Sequence, residues 1–241
     1  MCFLTFTCCL QFFTEVTPNI VFRVLKDSSK IEPGMKKTDE REQIFGRIFG
    51  ILAIFRSTRL MGERLSKETM NVVRESAAEV LQLYQSKRWL REVCVQTFMT
   101  MLNNVHASTI PVILEITLPL FEEQKVTEED EEELFVPVPL TPSSLQYLLQ
   151  VKTFLHKHTL TLSNEDLQRV YWKNSEIEPA HLKSLMNVYR ESTFTFPKVH
   201  PVWKASIDYL QEVAPKPYEM MMDWWFAVTE HVMTTTAERR R

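Results

Sequence analysis

The chain has 241 residues, of which 44% are hydrophobic and 24% charged, and its formal net charge is -3. That balance supports a sizeable core and carries no global signature of nucleic-acid or lipid binding. Only four glycines occur, at Gly34, Gly46, Gly50 and Gly62, whereas phosphate-cradling loops of the Walker and dinucleotide types need two or three within a few residues. Both enzyme classes are excluded. Cys2, Cys8, Cys9 and Cys94 form no C-x-x-C pair, which predicts buried, reduced thiols with no disulfide and no zinc site.

The opening MCFLTFTCCLQFF lacks the basic region and small-residue cleavage site of a signal peptide. It reads instead as a helix from about Cys2 to Phe13, apolar nearly all round and covered on several sides. Thr17-Pro18 supplies an N-cap and a first-turn proline for a short helix through about Leu25, and Asp27 to Lys37 is a polar connector. From Asp39 to Arg59 the residues Ile44, Phe45, Ile48, Phe49, Ile51, Leu52, Ile54 and Phe55 recur at three- and four-residue steps. Such spacing predicts a helix packed on most of its sides, started near Asp39 by a capping box with Glu42. Glycine costs about 1 kcal/mol inside a helix, so Gly46 and Gly50, one turn apart, predict the close approach of a neighbouring helix. Arg47 interrupts the apolar run, and no membrane span starts there.

Ser66 is placed to cap a helix to about Gln85 with Met70, Val73, Ala77, Val80, Leu81 and Tyr84 inward. Leu90, Val93, Cys94, Thr97, Phe98, Met101 and Leu102 mark the next helix, which forms a hairpin with it. Ser108 caps another through about Phe121, ending or kinking at Pro119. Glu122 to Thr141, which includes the EEDEEE run, reads as a mobile surface loop. Thr141-Pro142 opens a helix through about His158, Ser163 with Asp166 caps one through about Trp172, and Pro179 opens one through about Glu191. Pro201 opens another carrying Val202, Trp203, Ile207 and Leu210, and the last runs from about Tyr218 to Met233. Trp89, Trp203 and at least one of Trp224 and Trp225 are expected to be largely buried at helix–helix contacts. Helices joined by short loops, with no strand pattern, predict an all-α fold. Their broad apolar faces point to an armadillo/HEAT-like α-solenoid of stacked helix pairs spanning residues 1–241 as one domain, with a compact bundle as the alternative.

Signals of catalysis are missing from this pattern. His156 and His158, two apart, face different sides of a helix and cannot share a metal. No H-E-x-x-H or G-x-S-x-G motif occurs, so no catalytic, cofactor-binding or metal-binding residue is assigned. The KRWLR run offers Lys87, Arg88 and Arg91 as candidate contacts to nucleic acid or a partner, with Trp89 available for stacking. Alternatively, Trp89 is a core residue and the three basic side chains are solvated.

Four blocks nevertheless share their order with a known family: DEREQIFGRIFGILAIFRSTRL, KRWLREVC, HLKSLMNVYRES followed by PKVHPVW, and DWWFAVTEHVM close to the terminal ERRR. From about Lys36 onward the chain resembles the DNA polymerase V, or polymerase phi, family (Myb-binding protein 1A-like). The resemblance implies a nuclear and nucleolar protein with an armadillo-like amino-terminal scaffold, associated with rDNA or pre-rRNA chromatin. It also implies transcription factors or ribosome-assembly proteins as partners, with no membrane and no small-molecule substrate. The family name implies a DNA-directed DNA polymerase as the alternative, although the sequence holds no carboxylate motif for it. On this reading the chain is part of the amino-terminal half of a longer protein, and its apolar, uncapped ends are expected to make it self-associate.

Overall fold

The computed structural model describes residues 10–13, 15–28, 34–121, 140–172, 182–192, 200–213, 226 and 230. All regular elements among the described residues are helical, as expected for an all-α chain. They are α1 (Pro18–Ser28), α2 (Lys37–Arg56), α3 (Lys67–Ser86), α4 (Arg91–Asn103), α5 (Ile110–Thr117), α6 (Pro142–Lys157), α7 (Glu165–Leu167), α8 (Leu182–Ser192) and α9 (Val202–Glu212). A 3-10 turn at Arg88–Leu90 leads into α4, and a wider turn at Gln168–Trp172 continues α7. None of the described helices is long and apolar enough to cross a membrane. The chain forms two compact units, Met1–Thr117 and Leu118–Arg241.

In the first unit α2 packs against α1 and α4, while α3 packs against α1, α4 and α5. α1 and α2 come close at Gly50, where an added Cβ would lie 2.3 Å from Cδ2 of Leu25 on α1. The predicted close approach is therefore real at Gly50, but Gly46 is exposed and has nothing within 4 Å. Around the contact, Lys26 of α1 reaches Glu75 at 2.7 Å and Glu79 at 3.9 Å on α3, and Arg47 of α2 reaches Glu79 at 4.0 Å. Burial raises the Glu79 carboxyl above its usual range although Arg47 and Lys26 pull it down. Cys94 of α4 is a buried thiol that desolvation pushes up to about 12.

Several helix starts differ from expectation. α2 begins at Lys37 with no side-chain cap, so Asp39 and Glu40 fall inside the first turn and no Asp39–Glu42 capping box forms. There they complement the positive end of the helix dipole. Ser66 does cap α3, accepting from the Thr69 amide at 3.1 Å. His106 rather than Ser108 caps the turn before α5, because the Ser108 hydroxyl donates to the Glu63 carbonyl at 3.0 Å. α5 gives way to a 3-10 turn at Leu118–Phe121, as Pro119 requires.

In the second unit α6 is buried on nearly every side, and α8 and α9 pack on it. Thr141 and Ser144 close its capping box, the first side chain accepting from the Ser144 amide at 3.2 Å and the second from the Thr141 amide at 2.8 Å. Phe121, Tyr147 and Tyr171 meet with ring centroids 5.7 to 6.4 Å apart. Asn164, not Ser163, caps α7, because its Oδ1 is the acceptor for the amides of Asp166 at 2.9 Å and Leu167 at 3.4 Å. On α9 the buried stripe is Val202, Ala205, Ser206 and Tyr209, whereas Ile207 is exposed and Leu210 half-buried. Trp203 is half-buried too, its indole N–H donating to Ser192 Oγ at 3.0 Å. The expected loop Glu122 to Thr141 lies almost wholly outside the described residues, as do Pro179, Trp224, Trp225, most of Cys2 to Phe13 and most of Tyr218 to Met233.

Two stability outcomes follow. Gly50→Ala is expected to destabilise the fold, since Leu25 must move, whereas Gly46→Ala is expected to stabilise it by about 0.5–1 kcal/mol. Urea melts of the two variants measure the contrast. Lys152 is 3% exposed, and burial lowers its ammonium to about 7 from the ordinary 10.5. Between those values the unfolded chain binds the extra proton, so this group makes stability rise with pH across the interval and weighs against folding below it. Lys152→Met is expected to be the more stable protein at neutral pH, by on the order of 1 kcal/mol or more, and to lack that rise. Denaturant midpoints measured from about pH 7 to 10 check both outcomes.

Candidate partner-binding surface

The three basic residues singled out in the sequence lie at the corner between α3 and α4, and the fold gives each a different neighbour. Lys87 Nζ is 2.6 Å from Glu40 Oε1 on α2, which ties the corner to the start of that helix. Arg91 places its guanidinium over the Tyr84 ring at 5.4 Å from the centroid. Arg88 is exposed. The run therefore does not present three free cations in a row.

Trp89 departs most clearly from a core placement, with 44% of its surface exposed. In the 3-10 turn Leu90 takes the inward position and is fully buried, leaving the indole outside. It lies against the outer face of α2, with its centroid 5.8 Å from that of Phe45. Phe45 in turn stacks on Phe49 at 5.9 Å, and Phe49 is 47% exposed. The Arg41 guanidinium sits over the indole at 4.8 Å from its centroid. Arg41, Phe45 and Phe49 are four residues apart and share one face of α2, so the chain builds a ridge of three aromatic rings closed at one end by a guanidinium.

Sequence reasoning placed Phe45 and Phe49 in the core of α2 and did not mark Arg41. The signal was present in the i, i+4, i+8 spacing of Arg41, Phe45 and Phe49 on a helix with more apolar faces than neighbours to cover them. Elsewhere the candidate chemistry is sparse. His156 and His158 are exposed, with His158 packed on Phe154 at 4.5 Å. Among the described residues no group of three or more His, Cys, Asp or Glu is arranged to hold a metal ion.

The family model described as DNA polymerase phi matches residues 1–241. The chain belongs to the DNA polymerase phi family. The match takes in the first thirty-odd residues, which the four recognisable blocks do not reach. No curated protein and no solved structure matches the chain.

A half-exposed Trp89 makes a distinct energetic prediction for this family member. Full truncation of a buried aromatic costs about 3–5 kcal/mol, while an exposed cation–π contact and one aromatic pair together are worth about 1–2 kcal/mol. Trp89→Ala is expected to fall in the lower range, and Phe98→Ala, whose ring is fully buried, in the higher. Equilibrium unfolding of both variants measures the difference.

Proposed function

We propose that the chain is a non-enzymatic scaffold of the nucleus and nucleolus, built of stacked helix pairs, that presents an extended surface to transcription factors or ribosome-assembly proteins in the setting of rDNA or pre-rRNA chromatin. Membership of the DNA polymerase phi family supports the nuclear setting. The aromatic ridge on α2 carries the binding reading, because interface energy concentrates in a few aromatic and arginine anchors, and here such anchors stand together in solvent.

Affinity purification from nuclear extract tests the reading. The intact chain is expected to retain nucleolar or transcription proteins that the Phe49→Ser/Trp89→Ser double variant loses. Primer extension provides the opposing test, since a nucleotidyl transferase needs carboxylates holding two metal ions about 4 Å apart. Extension activity that disappears on a carboxylate-to-alanine change would overturn the scaffold.

A further inference from the structure

We propose that the ridge formed by Arg41, Phe45, Phe49 and Trp89 docks an acidic amphipathic helix of a partner protein, with Arg88 as a second anchor for its carboxylates; the inference rests on the scaffold reading and names the class of partner. The ring centroids step at 5.9 and 5.8 Å along the ridge, close to the pitch of an α-helix of about 5.4 Å. Apolar side chains one turn apart on a partner helix therefore meet successive rings, the arrangement by which amphipathic helices bind apolar surfaces.

Charge selects the occupant. Lys87 already has Glu40, and Arg91 already has the Tyr84 ring. Arg41 and Arg88 remain, and neither pairs with a carboxylate among the described residues. Contact with the indole holds the Arg41 guanidinium in place while its N–H groups stay available for a carboxylate fork. A nucleic-acid strand fits less well. Its base would have to displace Arg41 from the indole face. One guanidinium on three rings, with the exposed Arg88 next to Trp89 in the chain, matches a short peptide with a few acids, not a long phosphate track.

Fluorescence anisotropy of the 241-residue chain with a labelled helix-forming peptide, bearing leucines at one-turn intervals and glutamates beside them, tests the proposal. The acidic peptide is expected to bind, and its counterpart with lysine for glutamate is expected to fail. Arg41→Glu with Arg88→Glu should weaken binding by about tenfold or more, while the paired lysine substitutions, which keep the charge but lose the fork, weaken it less. Circular dichroism melts verify folding, and Arg88→Glu alone, at an exposed position, serves if the double variant melts early. Equal binding of the two peptides, or indifference to the charge reversals, overturns the proposal. So does ridge-dependent capture of a labelled single-stranded oligonucleotide, or self-association abolished by Phe49→Ser. If the peptide fails while nuclear proteins are still retained through Phe49 and Trp89, only this inference falls; if both are lost, the scaffold reading falls with it.

Discussion

The first unit depends on one close approach, the seating of the Leu25 side chain of α1 on the bare backbone of α2 at Gly50. A helix as apolar as α2 must be covered by neighbours, and glycine lets one of them come nearer than any side chain would permit. The ion pairs around this contact follow from it. Lys26 is next to Leu25 and Arg47 lies one turn before Gly50, so once the helices meet, both cations are delivered to Glu75 and Glu79. Partly exposed pairs of this kind are worth about 0–1 kcal/mol each. Helix position is therefore set by packing, and the charges record it.

The second unit poses the same problem in another form. α6 has almost no exposed face, and its burial includes Lys152, Gln146 and Thr153 as well as the apolar residues. Thr153 returns its hydroxyl to the Leu149 carbonyl at 2.8 Å, a local solution open to short polar side chains. At Lys152 desolvation acts on the charge directly. Close packing against α9 is bought with one ionisable group whose protonation weighs against the folded state.

Helix existence was legible because periodicity and proline punctuation are local. The starts of α1, α3 and α6 were read from Thr17-Pro18, Ser66 and Thr141-Pro142, where one residue type decides the cap. Reading failed where two neighbouring residues competed for a cap. Asn164 displaced Ser163, and His106 displaced Ser108, whose hydroxyl went to a carbonyl 45 residues away in sequence. The face of α9 was also misjudged, because Ile207 and Leu210 look as apolar as Ala205 and Tyr209 until the neighbouring helix is in place. Gly46 and Gly50 both follow an Ile-Phe pair one turn apart, and it is the tertiary position of Leu25 that separates them.

The candidate surface was half legible for the same reason. KRWLR identified the right corner, since basic residues beside a tryptophan attract notice in any sequence. Its cations, however, are largely answered from within the fold, Lys87 by a glutamate 47 residues earlier and Arg91 by a tyrosine one helix back. What stays outward comes from α2, whose apolar character argued for packing on most of its sides. A helix covered by α1 and α4 still has an outer stripe, and when that stripe is Phe45 and Phe49 rather than polar residues the chain retains an apolar face in water. Trp89 then extends this stripe across to the next helix, and Arg41 caps it with charge. Leu90 already fills the inward position of the turn, so the indole's share in folding is limited to its contacts with Phe45 and Arg41, and the ring adds surface to the ridge more than it adds core to the unit.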